Sequence, residues 1–196
     1  DLYILTNKTG YEVALTNYGG AFAAIMVPDK DGKFQNIVQG HDCIDSVRNS
    51  PEKFLSTLVG RYGNRINKGK FKLKGKDYTL ALNAETNHMH GGPAGFHVRV
   101  WDAVQPNEHE VKLTYVSPDG EEGYPGTLTM EVTFSLNDNN ELKLSYRGKT
   151  DKTTIVNMTH HVFFNLHGLT DPCPSIEDHV LTLNSNFFLP TDETKI

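Results

Sequence analysis

The chain has 196 residues, of which 37% are hydrophobic and 22% are charged, a balance typical of a folded protein with its own core. A formal net charge of −5 argues against sequence-independent binding to nucleic acid, which requires a basic face. No apolar run approaches the ~20 residues that cross a bilayer as a helix, so we expect neither a nucleic-acid nor a membrane partner.

Strand-like segments recur at short intervals in the first half of the chain, and turn residues separate them. The segment 28–32 is typical of a turn, because Pro28 presets φ and Gly32 accepts a positive φ. Residues 74–77 are a hairpin signal between two short strands. Only the stretch 43–55 could hold a helical turn or two. The predicted strands of this half are Leu2–Thr6, Glu12–Thr16, 21–27, Lys70–Leu73 and 78–82.

The second half continues the pattern of short strands. Alternation is clearest in 127–136, where every second residue is a large apolar one. Many short strands with regular turns, and no long helical stripe, predict an all-β fold. We expect a large antiparallel β-sandwich that forms a single domain over 1–196. The predicted strands of this half are 98–104, 110–116, 127–136, 141–149, 153–158, 161–166 and 178–184.

The two cysteines, Cys43 and Cys173, are far apart in the sequence and form no CxxC pair. Free thiols in a reducing compartment are the default prediction for so few cysteines. We therefore expect a cytoplasmic location. An exported or periplasmic location is the alternative if the start at Asp1 reflects processing.

Two adjacent histidines, His160 and His161, lie in an aromatic-rich run that is typical of a buried strand. An imidazole can give or take a proton near neutral pH, because its ordinary pKa is about 6.5. Neighbours on a strand point to opposite faces. We therefore expect that one of the two rings can enter a cleft while the other packs or meets solvent.

Two upstream segments, 60–66 and 88–92, carry further groups suited to binding. Asn64 and Arg65 offer amide and guanidinium donors, and the pair Gly91-Gly92 would let backbone approach a ligand closely. If the stretch around Met89 is extended, the histidines on either side of it, His88 and His90, point the same way. The combination suits a neutral polyhydroxyl ligand.

The segment 157–166 resembles the signature of the aldose 1-epimerase (galactose mutarotase) family, Asn-x-Thr-Asn-His-x-Tyr-[Phe/Trp]-Asn-Leu. His160 stands where the family usually has Asn, and Phe163 where it usually has Tyr. The matching residues are Asn157, Thr159, His161, Phe164, Asn165 and Leu166.

Other segments resemble the same family in the same order along the chain. Residues 60–66 are similar to its Gly-Arg-x-x-Asn-Arg-Ile motif, and His90-Gly91-Gly92 to its His-Gly-Gly motif. The loop 117–126, with 18–20 and 189–192, is similar to further family features. The resemblance implies the galactose mutarotase-like supersandwich as the fold.

The resemblance also implies roles for single residues. His161 would be the catalytic acid, His90 a second catalytic and sugar-binding histidine, and Asn64 with Arg65 would hold sugar hydroxyls. The implied activity is interconversion of the α and β anomers of hexoses such as galactose and glucose. The substrate would be a small-molecule aldose, and no cofactor or metal is required, because no electrons move and no leaving group is expelled.

Two functional groups implied by the family have no match in this sequence: its general base, and an aspartate that binds substrate and lies in the later part of the family's chains. The family's general base is a glutamate near the end of its chains, in a part that would follow Ile196. We therefore expect the chain to lack the C-terminal part of the fold and to require that part as a partner. Alone, the chain is expected to bind sugar weakly and not to turn over.

Structural interpretations compete with these functional ones. A histidine in a β-rich stretch is more often a hydrogen-bonded structural residue, and we assign that role to His160. Arg65 could instead pair with a core carboxylate, and we assign that pairing to Arg61. Histidines 88, 90 and 161 do not establish a metal site, because no cysteine or carboxylate falls at ligand spacing. The remaining five are expected to be surface or packing residues: His41, His97, His109, His167 and His179.

Three alternative functions stay open from the sequence. The first is a non-catalytic carbohydrate-binding protein of the same fold, which would need donors but no acid. The second is an epimerase of phosphorylated sugars, which should add cationic groups for the phosphate. The third is a sandwich domain of a larger glycoside-processing enzyme.

Overall fold

The computed structural model describes residues 1–196, and strands dominate it. One short helix, α1 (Ile44–Asn49), lies inside the stretch predicted to hold a helical turn. Single 3₁₀ turns occupy Asn67–Gly69, Phe96–Val98 and Glu121–Gly123. None of these helical segments has the length and apolar character that a membrane crossing demands.

The strands, in chain order, are β1 (Leu2–Thr6), β2 (Glu12–Thr16), β3 (Phe22–Pro28), β4 (Phe34–Asn36), β5 (Leu58–Val59), β6 (Arg65–Ile66), β7 (Lys70–Leu73), β8 (Lys76–Thr79), β9 (His88–Met89), β10 (Asp102–Asn107), β11 (Glu110–Ser117), β12 (Leu128–Leu136), β13 (Leu142–Thr150) and β14 (Thr159–His160).

Two four-stranded sheets form the body of the protein. Their strand orders are β1-β2-β3-β4 and β10-β11-β12-β13, and every neighbouring pair is antiparallel. Each strand therefore pairs with the next one along the chain, which the short turns between them make easy. The all-β, antiparallel prediction is confirmed.

One hydrophobic core lies between the two sheets. On β12 buried and half-buried residues alternate along the whole strand, as the sequence pattern predicted. Burying one large apolar side chain contributes roughly 1.5–3 kcal/mol, so this core fixes both sheets and the loops at their ends. The inward residues of β12 are Leu128, Met130, Val132, Phe134 and Leu136. The first sheet contributes Leu5, Val13, Leu15, Phe22 and Ile25.

The hairpin of β7 and β8 is tighter than its sequence signal suggests. Leu73 pairs with Lys76, so only Lys74 and Gly75 form the turn. Both have positive φ, 47° and 79°, as a two-residue turn that matches the strand twist requires. The second strand consequently begins at Lys76 and ends at Thr79 rather than covering 78–82.

Four predicted strands of the second half differ from the structure. The segment 98–104 begins in a 3₁₀ turn, and β10 starts only at Asp102. The segments 153–158 and 161–166 contain only isolated bridges, with the two-residue β14 between them. In 178–184 there is no strand, and Val180 is 90% exposed. The prediction for 98–104 therefore holds only from Asp102 onwards. The other three predictions were wrong, because a strand exists only within a ladder and those segments have no continuous neighbour.

Candidate active site

The Asn64–Arg65 and His90 motifs meet through a short antiparallel pair. In β6 and β9, Arg65 pairs with Met89, and the pairing continues past the strands. The His90 N–H donates to the Asn64 carbonyl at 3.0 Å, and the Asn64 N–H donates to His90 Nδ1 at 3.0 Å. Both residues have positive φ, 64° for Asn64 and 52° for His90, so the backbone turns sharply at each. The Arg65 guanidinium donates to Asn64 Oδ1 at 3.3 Å.

The glycine after His90 is required by a close backbone approach. Gly91 has a φ of 85°, and a Cβ on it would lie 1.7 Å from the Gly60 carbonyl oxygen. The segment carrying His90 is therefore packed directly on the backbone of the 60–66 motif. This glycine makes room for the protein's own chain rather than for a ligand.

The His161 segment completes the cluster from a third direction. It runs antiparallel to β5, with His160 opposite Leu58 in the ladder. The His161 N–H donates to the Thr57 carbonyl at 2.8 Å, and the Ser56 N–H donates to the His161 carbonyl at 3.0 Å. The His161 ring centroid lies 5.1 Å from that of His90, with the rings at 86°. The structure thus brings together His161, His90, Asn64 and Arg65, the four residues singled out from the sequence.

The state of His90 follows from its surroundings. Burial, the neighbouring His161 and the Arg65 cation together lower its pKa to about 4, against a smaller opposing effect of Glu52. The ring is therefore neutral at pH 7. Because Nδ1 accepts the Asn64 N–H, the single ring proton lies on Nε2. His90 offers a neutral N–H donor on the side facing away from Asn64.

His160 takes the opposite face of the chain from His161, as alternation predicts. Its ring lies 4.3 Å from the Phe22 ring and 6.1 Å from the Phe134 ring, against the core. Its Nε2–H donates to the Gly20 carbonyl at 3.0 Å. Burial lowers its pKa to about 4. The structural role assigned to His160 agrees with this packing.

Aromatic side chains surround the two imidazoles. The His161 ring stacks on Phe163 at 4.9 Å and 28°. Phe54 lies 4.7 Å from the His90 ring and 4.5 Å from the ring of His97. His97 was assigned to the surface or to packing, and it packs: it is buried, and burial, the neighbouring His90 ring and the Arg99 cation lower its pKa to about 4. Sequence reasoning missed Phe54, a single aromatic residue among charged neighbours with no periodic signal.

Comparison with known proteins identifies the family. A family model described as Aldose 1-epimerase matches residues 1–196. The chain belongs to the aldose 1-epimerase family. Among its relatives, the galactose mutarotase of Rattus norvegicus is 40% identical over 184 residues, which is 94% of this chain and 52% of that protein. The aldose 1-epimerase of Escherichia coli K12 is 34% identical over 192 residues, 98% of this chain and 54% of that protein. The chain thus spans about half the length of the curated relatives it matches.

Solved structures of the aldose 1-epimerase family share the fold. A GalM/aldose epimerase homologue from C. elegans superposes with a TM-score of 0.81 at 31% identity, covering 85% of this chain and 51% of that one. A galactose 1-epimerase from Lactobacillus acidophilus gives a TM-score of 0.74 at 31% identity, covering 83% and 48%. The prediction of a galactose mutarotase-like fold is confirmed.

The extended stretch on which the expectation for His88 and His90 depended does not continue through His90. His88 and His90 do not point the same way, because the positive φ of His90 breaks the alternation. His88 is fully buried: its Nδ1–H donates to the Ala81 carbonyl at 2.7 Å, and the Tyr124 hydroxyl donates to Nε2 at 2.6 Å. Burial also lowers its pKa. His88 therefore supports the segment from inside and takes no part in the candidate site.

The prediction that Arg61 pairs directly with a core carboxylate was wrong, because its hydrogen bonds go to a hydroxyl and to backbone carbonyls. Arg61 is 2% exposed, and its Nε donates to Ser117 Oγ at 2.8 Å. Its terminal nitrogens donate to the carbonyls of Ser117, Pro118 and Pro125 at 2.9, 2.8 and 3.1 Å. The Ser117 hydroxyl in turn donates to Glu121. The loop 117–126 thus surrounds the Arg61 guanidinium with hydrogen-bond acceptors. The Glu121 carboxylate is linked to Arg61 only indirectly, through the Ser117 hydroxyl.

A cavity lies away from the candidate site, beside α1 and the first sheet. It has a volume of about 500 Å³ and is lined by residues that include Tyr18, Phe22, Cys43, Arg48 and Val100. None of the four sequence-predicted site residues lines it. The candidate site is therefore separate from this cavity, and its two histidines, His90 and His161, are half-buried.

Outside the candidate site, His167, Asp178 and His179 bring three possible metal-ligand atoms within 4.8 Å of one another. His167 Nε2 lies 2.7 Å from Asp178 Oδ1, and His179 Nδ1 lies 3.4 Å from the same oxygen. The Leu166 N–H donates to His179 Nε2 at 2.9 Å, which leaves the ring proton on Nδ1, pointing at the carboxylate. A metal at Nδ1 would displace that proton. The observed contacts are those of a hydrogen-bonded cluster, which agrees with the assignment of His167 and His179 to surface or packing positions.

Proposed function

We propose that this chain carries the sugar-binding and acid side of an aldose 1-epimerase that interconverts the α and β anomers of hexoses such as galactose and glucose. The observation that carries the proposal is the perpendicular pair of His90 and His161, with ring centroids 5.1 Å apart beside Asn64 and Arg65. Three segments far apart in sequence supply these side chains. Family membership supports the reaction class.

In the proposed reaction, a base removes the proton of the C1 hydroxyl while an acid protonates the ring oxygen. The bond between C1 and the ring oxygen breaks, which gives the open aldehyde. Rotation about C1–C2 and closure then deliver the other anomer. His161 is the proposed acid, and a positioned proton transfer of this kind contributes about 10²–10⁴-fold in rate.

His90 is proposed to bind sugar as a neutral donor rather than as a second acid. Its Nε2–H is free of Asn64 and would donate to the ring oxygen or to an adjacent hydroxyl. A neutral ring is suited to this role, since it does not repel a protonated His161. The exposed amide of Asn64 and the half-buried guanidinium of Arg65 would orient the ring through other hydroxyls.

The general base is proposed to come from outside these 196 residues. The family resemblance puts the base in the later part of the family's chains, and this chain spans about half the length of its relatives. We therefore expect the isolated chain to bind aldoses weakly and to leave their rate of mutarotation unchanged.

A neutral sugar is favoured over a phosphorylated one. The guanidinium of Arg61 is committed to Ser117 and to loop carbonyls, so it is not available to a phosphate. Arg65 is then the only arginine that the family motif offers to a ligand. A phosphate site usually uses several charge-assisted donors.

Sugar binding can be tested by NMR titration of the chain, with the ring signals of its histidines as probes. Galactose and glucose should shift the signals of His90 and His161 but not that of His160, and the acyclic polyol sorbitol should shift none. His161→Gln should keep most of the affinity, and so should the surface control His167→Gln. Absence of any shift, or equal shifts with sorbitol, would contradict the proposed site.

Turnover is tested separately by polarimetry. The isolated chain should not accelerate mutarotation of galactose. An acceleration that disappears in His161→Ala would show that the base lies within these residues. In a complete protein carrying this sequence, His161→Gln should abolish turnover with little change in binding, whereas a non-catalytic sugar-binding protein would show no turnover to lose.

A further inference from the structure

Phe54 occupies the space beside the two imidazoles of the proposed site. It is 9% exposed, and its ring centroid lies 4.7 Å from the His90 ring at 64° and 6.3 Å from the His161 ring at 31°. On another side it lies 4.5 Å from the His97 ring. No other phenylalanine contacts both His90 and His161, since Phe163 stacks on His161 alone. Phe54 has no role in the reaction proposed above.

The short segment 52–57 holds Phe54 and His161 together. Glu52 Oε1 accepts the Phe54 N–H at 3.1 Å, which closes a tight local turn. The N–H and the hydroxyl of Thr57 both donate to the Phe54 carbonyl at 3.2 Å. The Thr57 carbonyl then accepts the His161 N–H at 2.8 Å. The position of the Phe54 ring is therefore tied to the backbone of His161 through one buried threonine.

The ring of Phe54 also keeps water from one side of His90. The charged and titratable groups facing His90 are His161, Arg65, His97 and Glu52, and most of them disfavour a protonated ring. An aromatic edge contact adds a preferred orientation to this exclusion of water. Without Phe54, the space beside His90 would admit water and permit other ring orientations.

We propose that Phe54 is a positioning residue of this site, whose ring holds His90 perpendicular to His161 and shielded from water so that Nε2–H faces the ligand. The proposal takes its biological meaning from the proposed function, but the test below needs no sugar. Phe54 acts through His90 and does not touch the ligand.

The test uses NMR of the 196-residue chain with ¹⁵N-labelled histidine. In the parent chain the His90 titration should have its midpoint near pH 4, and its nitrogen shifts should be those of the Nε2–H tautomer. In Phe54→Ala the midpoint should rise towards the ordinary value of about 6.5, and the tautomer signature should become mixed. Phe54→Tyr, which keeps the aromatic ring, should give the same His90 midpoint and tautomer as the parent chain. Phe54→Leu, which keeps apolar volume but no ring, should give a His90 midpoint between those of the parent chain and of Phe54→Ala.

Phe71→Ala is the matched control. Phe71 is also part of an aromatic cluster, stacked at 5.0 Å on Tyr78 and 6.4 Å from Tyr124, but it is not in contact with His90. This variant should leave the His90 midpoint and tautomer unchanged. An unchanged His90 in folded Phe54→Ala, or an equal rise in Phe71→Ala, would overturn the proposal. If Phe54→Ala does not fold, the same test applies to Phe54→Leu: an unchanged His90 midpoint and tautomer in that variant would overturn the proposal.

The two proposals fail in distinguishable ways. If the parent chain shows no sugar-dependent shift but Phe54→Ala still changes the His90 titration, the positioning role stands and the sugar site does not. If sugar shifts the His90 and His161 signals but the Phe54 variants titrate as the parent does, the sugar site stands and the positioning role does not.

Discussion

Replacement of Arg61 by methionine should destabilise the protein strongly, although Arg61 touches no proposed ligand. Two of its hydrogen bonds, to Ser117 Oγ and to the Ser117 carbonyl, are wholly buried. A buried acceptor left without its donor costs about 1–3 kcal/mol, so two of them give roughly 2–6 kcal/mol. Removing a buried charge also releases its desolvation penalty, which offsets part of this loss. We expect a net loss of about 2–4 kcal/mol in the free energy of unfolding.

Urea denaturation followed by tryptophan fluorescence measures this loss directly. The control is Arg147→Met, which removes an exposed arginine on β13 and should change stability by no more than about 0.5 kcal/mol. Equal slopes of the unfolding curves would show that the denatured state is unaffected. A loss below about 1 kcal/mol in Arg61→Met, or an equal loss in the control, would refute the view that this guanidinium organises the loop 117–126.

Two further predictions concern a glycine and a histidine. Gly91→Ala should lower the thermal midpoint well below that of Gly75→Ala and cost about 1–3 kcal/mol more in the free energy of unfolding. Both glycines have a positive φ, but only at Gly91 would a Cβ lie 1.7 Å from a carbonyl oxygen. Equal midpoints for the two variants would contradict this prediction. The pKa of His160 is about 4 in the folded protein against about 6.5 unfolded, so the unfolded chain binds the extra proton. Stability should therefore fall as the pH drops from about 6.5 towards 4, by up to about 1.4 kcal/mol per pH unit for this residue. His160→Phe should reduce that slope in urea titrations, and an unchanged slope would show that the ring is not desolvated.

The body of the fold was predictable because its signals are local. Alternation of apolar residues along β12 identified its buried face. The turn between β7 and β8 was visible because it is formed by two residues adjacent in the sequence, Lys74 and Gly75. The four site residues were found because they lie in three family motifs. What the residues themselves contributed was the division of His160 and His161 between two faces, which the packing of His160 on Phe22 matches.

The failures share a dependence on distant partners. Residues 153–158 and 178–184 have the composition of strands, but pairing needs a neighbour that composition does not reveal. The direction of His90 relative to His88 depended on the positive φ of His90, a residue that is hydrogen-bonded to the distant Asn64. Phe54 is visible as a site residue only after the chain has folded around it. Propensity gives no information on such long-range contacts.

The adjacency of His160 and His161 has a consequence for the alignment of this chain against β5. A slip of one residue normally replaces an inward side chain by an outward one of different chemistry, and that mismatch disfavours the slip. Here a slip by one place in one direction would put the His160 imidazole where that of His161 lies, so the two histidines discriminate poorly against that slip. Discrimination must come from flanking anchors, and Asn157, whose carbonyl accepts the Gly63 N–H at 2.7 Å and whose side chain donates to the Gly63 carbonyl at 3.2 Å, is placed to provide it.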